Sequence, residues 1–340
     1  MHRKSRIRFI GTSLLLAGAL ALLSGRPVSA DSRWGANYFP NIELTTQDGK
    51  TVHFYDDLIK GKIVAIDLIY TSCQYSCPLE TARLAQVQKI LGDRVGKDIF
   101  FYSITIDPTN DTPEVLKAYA QKFHAGPGWT FLTGKKEDID FLSKKLGLYS
   151  DPAATVDGHT PHLLLGNEPM GQWMRNSALD NPRFLSQMIG DFLDSFRNMK
   201  PAQGKQTTES AAIHLDPGQY LFTKKCGACH TVGQGDKIGP DLLGVTDARN
   251  RDWLMRKIQS PEQLLAEKDP ITMALAEKYG HVTMPNLRVA EDDANFIIGY
   301  LVSQTSALNR QATAARNAAN NPAENRNLDS RPNKDARPNK

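Results

Sequence analysis

Ile63-Val64-Ala65-Ile66-Asp67-Leu68-Ile69-Tyr70 runs directly into Thr71-Ser72-Cys73-Gln74-Tyr75-Ser76-Cys77-Pro78. The first half is an almost unbroken apolar run, typical of a strand that is buried on both faces of a sheet. The second half ends in a proline, which suits the first turn of a helix. These 16 residues therefore predict a strand, a loop and a helix, with two cysteines where the loop enters the helix.

Strand and helix signals alternate on both sides of this stretch, through residues 31–200. Strands are predicted at 63–70, 99–106, 129–132 and 162–165. Helices are predicted around 84–91 and at 113–123, 135–146 and 183–199. Such alternation predicts an α/β layered domain whose centre is mostly parallel.

The rest of the chain divides by composition. Residues 201–213 are small and polar and predict a linker. Residues 214–304 show helical patterns without a strand signal, which predicts an all-α domain. Residues 305–340 contain eight Asn and only two large apolar side chains, so we expect a disordered tail.

Residues 1–30 combine a basic start, an apolar stretch and a terminal Val28-Ser29-Ala30, as in an export signal cleaved after Ala30. An uncleaved anchor is the alternative, since 17 uncharged residues separate Arg8 from Arg26. Both interpretations place the remainder outside the cytoplasm, and the bacterial character of the signal indicates the periplasm.

The distribution of charge excludes two classes of protein. Residues 1–30 carry five basic groups and no acidic one, and residues 305–340 carry seven basic and three acidic, which leaves 29 basic and 34 acidic groups for residues 31–304. An acidic body argues against a nucleic-acid-binding protein. No later apolar run approaches the length of a membrane span, so a multi-spanning membrane protein is excluded and an N-terminal anchor is the only expected membrane contact.

The four cysteines form two local pairs, 73/77 and 226/229. An even count in an exported protein ordinarily indicates structural disulfides. Closing so short a loop removes little entropy from the unfolded chain, so both pairs are better interpreted as chemical sites.

The second pair lies in Cys226-Gly227-Ala228-Cys229-His230, the motif for covalent attachment of haem c. Its thiols add across the haem vinyl groups, and the histidine binds the iron. Gly239-Pro240-Asp241-Leu242 and Met284-Pro285-Asn286-Leu287 follow, and residues 214–304 as a whole resemble a class I cytochrome c. That resemblance implies Met284 as the second axial ligand, with His281 as the competing residue, and His/Met ligation suits electron transfer.

The first pair permits three interpretations: an inert disulfide, a redox dithiol or a soft-metal site. A cysteine at a helix N-terminus has its thiolate stabilised by the dipole and by free N–H groups. Two thiolates and one imidazole are a good donor set for copper.

Residues 40–200 resemble the Sco/SenC family of copper-binding, thioredoxin-fold proteins. The resemblance depends on Cys73-x-x-x-Cys77-Pro78, on Ser103 to Pro108 with Asp111 to Glu114, on Trp129 to Gly134, and on Gly158-His159-Thr160. It implies copper bound by Cys73, Cys77 and His159, with His162 or no histidine as alternatives. Thr160-Pro161 instead resembles the cis-proline turn of thioredoxins. For Asp107 and Asp111 we expect only turn formation and capping of the following helix.

Two functions follow from these resemblances. The first is a periplasmic copper chaperone that helps to assemble the dinuclear copper centre of a cytochrome c oxidase subunit, with a haem that exchanges electrons with the copper or the dithiol. The second is a thiol–disulfide oxidoreductase that uses Cys73 and Cys77 on redox protein partners, with the haem as electron source or sink. Copper and haem both change by one electron, whereas a disulfide needs two. A peroxidase is a weaker third candidate, because no arginine is placed by the sequence to assist a peroxidatic thiolate.

Overall fold

The computed structural model describes residues 35–150, 160–193 and 216–320. The first two ranges are built around a sheet and the third from helices, so the chain combines the expected α/β domain with an all-α domain. The predicted leader at 1–30, the linker at 201–213 and the candidate ligand His159 lie outside the described residues.

A mixed seven-stranded sheet with helices on both faces forms the thioredoxin-like domain. Its order is β2-β1-β5-β4-β3-β6-β7, with β3, β4 and β5 parallel and the other neighbours antiparallel. The strands are β1 Glu43–Thr46, β2 Thr51–His53, β3 Ile63–Ile69, β4 Ile99–Thr105, β5 Trp129–Thr133, β6 His162–Asn167 and β7 Gln172–Ser177.

Strand β3 is buried along its whole length, as its apolar sequence predicts. Side chains of a strand point alternately to the two faces of the sheet. Ile63, Ala65 and Ile69 accordingly join one apolar cluster, and the cluster on the opposite face takes Val64, Ile66 and Leu68.

The helices of this domain cover both faces of the sheet. Three of them, α1, α2 and α4, pack on the face that receives Ile69, whereas α3 packs on the other. Their bounds are α1 Ser76–Leu91, α2 Pro113–Lys122, α3 Lys136–Leu146 and α4 Pro182–Gln187, the last continuing as a π-helical turn at Met188–Phe192.

Strand β7, like β1 and β2, has no counterpart among the strands expected from the sequence. Its residues, Gln-Trp-Met-Arg-Asn-Ser, are mostly half-buried and lack a clear apolar alternation. It lies at the edge of the sheet and pairs only with β6. An edge strand can be polar because only part of it faces the core, and this hides it from a search for apolar periodicity.

The all-α domain contains six α-helices within residues 216–320, and a π-helical turn at Phe222–Cys226 continues the first of them. The α-helices are α5 Pro217–Leu221, α6 Val245–Ala248, α7 Arg251–Gln259, α8 Pro261–Ala266, α9 Pro270–Lys278 and α10 Glu291–Asn320. Helices α5 and α10 cross so closely that a Cβ at Gly218 would lie 2.1 Å from the Phe296 carbonyl oxygen, and only glycine fits there. No helix in the described ranges is both long enough and apolar enough to cross a membrane.

The expected disordered tail from residue 305 is wrong for its first 16 residues, because α10 extends to Asn320. Two features explain the continued helix. The segment is rich in alanine, which has the highest helix propensity. Thr305 is buried, and Leu308 contacts Gly233, so the early part of the extension packs against the domain. Residues 321–340 lie outside the described part of the chain.

Candidate functional site

The Cys73–Cys77 loop, residues 70–77, connects the carboxyl end of β3 to the first turn of α1. Both cysteines are buried, with 6% of Cys73 and none of Cys77 exposed, and both are free thiols. Strand β3 is an interior strand paired with β4 on one side and β6 on the other, so the sheet holds the start of this loop from both sides.

Asp111 fixes the start of the Cys73–Cys77 loop through hydrogen bonds to Thr71. Its fully buried carboxylate accepts hydrogen bonds from the backbone N–H of Thr71 at 3.1 Å and from the Thr71 hydroxyl at 2.5 Å. The hydroxyl of Thr105, at the end of β4, donates to the same carboxylate. Asp111 thus joins the loop to the neighbouring parallel strand.

The capping role expected for Asp111 is therefore wrong. The N-cap of α2 is Thr112, whose hydroxyl accepts from the Val115 N–H at 3.4 Å. Asp107 does form the expected turn, with its backbone carbonyl accepting from the Asp111 N–H at 2.9 Å. The sequence gives little indication of this role, because an aspartate just before a helix that starts with proline can equally be a helix cap or a buried hydrogen-bond acceptor.

The two thiols form an electrostatically unequal pair. The thiol of Cys77 donates a hydrogen bond to Cys73, which lowers the pKa of Cys73 to about 6. Burial raises the pKa of Cys77 well above its ordinary value. At neutral pH the pair therefore holds one thiolate and one thiol, an arrangement suited to nucleophilic attack and to binding a soft metal ion.

The third donor predicted for a copper site, His159, lies in the undescribed segment 151–159. Among the described residues, no group of three or more His, Cys, Asp or Glu side chains is arranged to hold a metal ion. The alternative ligand His162 is half-buried at the start of β6. The structure thus brings two of the three predicted copper donors together.

The expected likeness of Thr160-Pro161 to the cis-proline turn of thioredoxins is wrong. No peptide bond in the described residues is cis, so the bond between these two residues is trans. The Pro161 carbonyl accepts from the Ala178 N–H at 2.9 Å, which extends the pairing of β6 with β7 by one residue.

The four residues predicted to hold a haem line one cavity of about 320 Å³. They are Cys226, Cys229, His230 and Met284, whereas the competing residue His281 is exposed and does not line it. Most of the remaining wall is apolar and includes Leu254, Ile258, Leu275, Ile297 and Leu301. Apolar walls with a few convergent polar groups are typical of cofactor pockets.

The backbone orients the His230 ring toward this cavity. Its Nδ1 lies 2.9 Å from the carbonyl oxygen of Pro240, so Nδ1–H donates there and Nε2 is left as the free nitrogen. A Cβ at Gly239 would lie 2.6 Å from Cε1 of the ring, so the glycine allows this close packing. Burial lowers the pKa of His230, which favours the neutral imidazole that binds iron.

The donor chemistry of the cavity fits a covalently attached haem. Burial raises the pKa of Cys226 to about 12 and that of Cys229 to about 11, so both are thiols at neutral pH. Cys226 and Cys229 would form the thioether links to a haem, and His230 and Met284 would offer a nitrogen and a sulfur to its iron. A haem held in this way supplies one-electron redox chemistry.

The α/β domain completes the wall of the haem cavity. Gln74 and Pro78, on either side of Cys77, line the cavity together with Phe123. The backbone N–H of Asn286, two residues after Met284, donates to the Gln74 carbonyl oxygen at 2.9 Å. Nothing in the local sequence pattern indicates this contact.

A buried arginine clamps the two domains together behind the cavity. Arg83, on α1, is 3% exposed and donates through Nη2 to the carbonyl oxygens of Thr223 at 2.7 Å and Lys224 at 2.5 Å. Nε2 of Gln86 lies 3.1 Å from the Gly227 carbonyl oxygen. One feature of the sequence indicates that α1 is covered on both sides: its apolar residues lie on more than one face of the helix.

Comparison with known proteins finds a separate family model for each of the two domains. The SCO1/SenC family model matches residues 31–175, and the cytochrome c model matches residues 215–305. A SCO2-like protein of Rickettsia felis is 35% identical over 149 residues, which cover 42% of this chain and 69% of the relative.

Two solved structures resemble the separate halves. The structure of ScoI from Bradyrhizobium japonicum with copper bound is 25% identical, with a TM-score of 0.37, and the match covers 43% of this chain and 94% of that one. The cytochrome c domain of the pp3183 protein from Pseudomonas putida is 43% identical, with a TM-score of 0.27, and covers 28% of this chain and 94% of that one. The chain belongs to the SCO1/SenC family, and a cytochrome c domain follows the thioredoxin-like domain in the same polypeptide.

Proposed function

We propose that this protein is a periplasmic copper chaperone that binds copper through Cys73, Cys77 and His159 and delivers it to the dinuclear copper centre of a cytochrome c oxidase. The haem held by Cys226 and Cys229 would exchange electrons with the copper or the dithiol. Membership of the SCO1/SenC family supports the copper cargo, and the leader-like residues 1–30 support the location.

The observation that carries the proposal is the shared wall between the two sites. Gln74, which follows Cys73 directly, lines the cavity that holds His230 and Met284. A haem in that cavity would lie against the loop that binds copper, and short separation favours electron exchange. A haem in the cavity and a copper ion on the cysteines would each change by one electron, so a single-electron exchange between them would balance.

The test is the copper content of haem-loaded protein that has been exported and reduced. The protein is loaded with Cu(I) and passed through a competing chelator, with His159→Ala and the matched control His162→Ala beside the wild type. We expect one copper per haem in the wild type and in His162→Ala, and loss of copper in His159→Ala. If the wild type retains no copper, the chaperone proposal is wrong.

The second candidate function is thiol–disulfide exchange on other exported proteins. It is favoured by the lowered pKa of Cys73 beside a protonated Cys77, the arrangement of a nucleophilic and a resolving thiol. This function needs Cys73 and Cys77 but not His159. Protein without retained copper that still reduces a disulfide-bonded substrate, and loses that activity in Cys73→Ser, would establish it.

A further inference from the structure

The segment that carries Met284 touches the Cys73–Cys77 loop at two points. We name residues 281–288, between α9 and α10, the Met284 loop. At the first point, the Asn286 N–H donates to the Gln74 carbonyl oxygen at 2.9 Å. At the second, the guanidinium of Arg288 lies 5.0 Å from the centroid of the Tyr75 ring, within the range of a cation–π contact.

Both contacts fall between the two cysteines. Gln74 and Tyr75 occupy two of the three positions that separate Cys73 from Cys77. Binding a metal ion through both sulfurs replaces the hydrogen bond between the two thiols. The intervening residues must respond to that change, and these are the residues that the Met284 loop contacts.

The side chain of Asn286 links the Met284 loop to its surroundings. Its Oδ1 accepts from the Arg288 N–H at 2.9 Å, and its Nδ2 donates to Glu262 on α8 at 3.0 Å. A displacement of Gln74 would therefore shift Asn286, and through its hydrogen bonds also Arg288 and Glu262.

The Met284 loop also begins and ends on strained backbone. His281 and Arg288 have φ angles of 60° and 50°, in the left-handed region that residues other than glycine rarely adopt. Such conformations persist only where the surroundings impose them, and they occur often in switch regions. A loop held in this way by a few contacts can change position when one of those contacts changes.

We propose that Asn286 and Arg288 are positioning residues that couple metal binding at the Cys73–Cys77 loop to the ligation of the haem iron by Met284. The inference depends on the proposed function, since it requires copper at one site and haem at the other. Copper at the cysteines changes how readily Met284 leaves the iron, and displacement of Met284 changes the affinity for copper by the same factor, because coupling between two binding sites is reciprocal.

The test uses the full haem-loaded protein with both metals reduced, so that no electron transfer interferes. Carbon monoxide is the probe at the haem, because it binds ferrous iron only when Met284 has been displaced. Its dissociation constant is measured at the haem absorption bands with and without saturating Cu(I). The dissociation constant of Cu(I) is measured by chelator competition with and without carbon monoxide, and the same pair of titrations on Met284→Ala, which has no methionine to displace, gives the effect of direct binding of carbon monoxide to Cu(I).

In the wild type we expect each ligand to change the dissociation constant of the other by about fivefold or more, equally in the two directions. In Arg288→Ala and in Tyr75→Leu, the factor should fall toward one. Arg288→Lys keeps the cation and should retain most of the coupling. Arg256→Ala is the matched control, because Arg256 pairs with Glu267 within the helical domain.

The outcomes separate this inference from the proposed function. Wild-type protein that retains copper but shows a coupling factor of one would overturn the inference and leave the chaperone proposal standing. Wild-type coupling in both Arg288→Ala and Tyr75→Leu would overturn the assignment of the positioning contact. Absence of copper binding in the wild type would overturn both proposals.

Discussion

Replacement of Gly239 by alanine tests most directly how His230, the proposed ligand to the haem iron, is held. A Cβ at this position would lie 2.6 Å from Cε1, 3.1 Å from Nδ1 and 3.2 Å from Nε2 of His230, all closer than ordinary van der Waals contact. The ring cannot turn aside freely, because its Nδ1–H donates to the Pro240 carbonyl oxygen at 2.9 Å. Gly239→Ala therefore forces the ring to retreat by several tenths of an ångström or to give up that hydrogen bond.

The expected magnitude follows from the role of Pro240. Loss of the hydrogen-bond partner of a metal-bound histidine weakens metal binding about 10- to 100-fold, equivalent to about 1.4–2.8 kcal/mol. A proton competes with iron for Nε2 of His230, so each tenfold loss of affinity raises the pH of acid release by about one unit. We expect the low-spin haem spectrum of Gly239→Ala to disappear at a pH about one to two units above the wild-type value.

The assay is an acid titration of the haem absorption spectrum, with covalent haem quantified separately. Gly299→Ala is the matched control, because Gly299 lies in α10 and a Cβ there meets no atom within 4 Å. Equal acid midpoints for Gly239→Ala and the wild type would refute the reasoning that close packing holds His230. A shift of similar size in Gly299→Ala would show that the titration reports general destabilisation instead.

Three further predictions concern the residues around the thiol pair and the clamp between the domains. The rate at which iodoacetamide alkylates Cys73 in copper-free, reduced protein should fall as the pH drops through about 6. Cys77→Ala removes the hydrogen-bond donor and should move the midpoint of this pH dependence up toward about 8.5. An unmoved midpoint would contradict the assignment of a thiolate–thiol pair. Asp111→Ala leaves the Thr71 N–H and the hydroxyls of Thr71 and Thr105 without their acceptor. The free energy of unfolding in urea should therefore fall by about 3–5 kcal/mol. A loss below about 1 kcal/mol would show that Asp111 does not hold the loop. Arg83→Met removes two charge-assisted hydrogen bonds, so we expect a loss of about 2–4 kcal/mol and separate calorimetric transitions for the two domains. A single unchanged transition would show that the clamp contributes nothing.

The sequence predicted the fold class and the two chemical motifs because both are local properties. The apolar run from Ile63 indicated a central strand, since burial on both faces removes the polar alternation. The haem motif at Cys226 places its thiols and imidazole within five residues, so their proximity requires no tertiary information. The cysteine pair at the start of α1 could be recognised for the same reason.

Other features could not be predicted from the sequence, because they depend on contacts with residues far away in the chain. Strand β7 is a polar edge strand whose pairing with β6, not its composition, makes it a strand. The extension of α10 combines alanine-rich sequence with the packing of Leu308 on Gly233, and its Asn content suggested disorder. Asp111 differs from an ordinary capping residue only because the fold brings Thr71 to it from 40 positions away.

Local sequence patterns predict the chemistry proposed for this protein: a thiol pair at a helix start, a haem-attachment motif and a methionine suited to bind the haem iron. The tertiary structure is needed to show that the loop between the first two cysteines forms part of the wall of the cavity that Cys226, Cys229, His230 and Met284 line. The Asn286–Gln74 hydrogen bond, the Arg83 clamp and the wall formed by Gln74 and Pro78 join residues far apart in the chain. Such contacts arise from the complementarity of two folded surfaces, and surface complementarity leaves no periodic or local pattern in a single sequence.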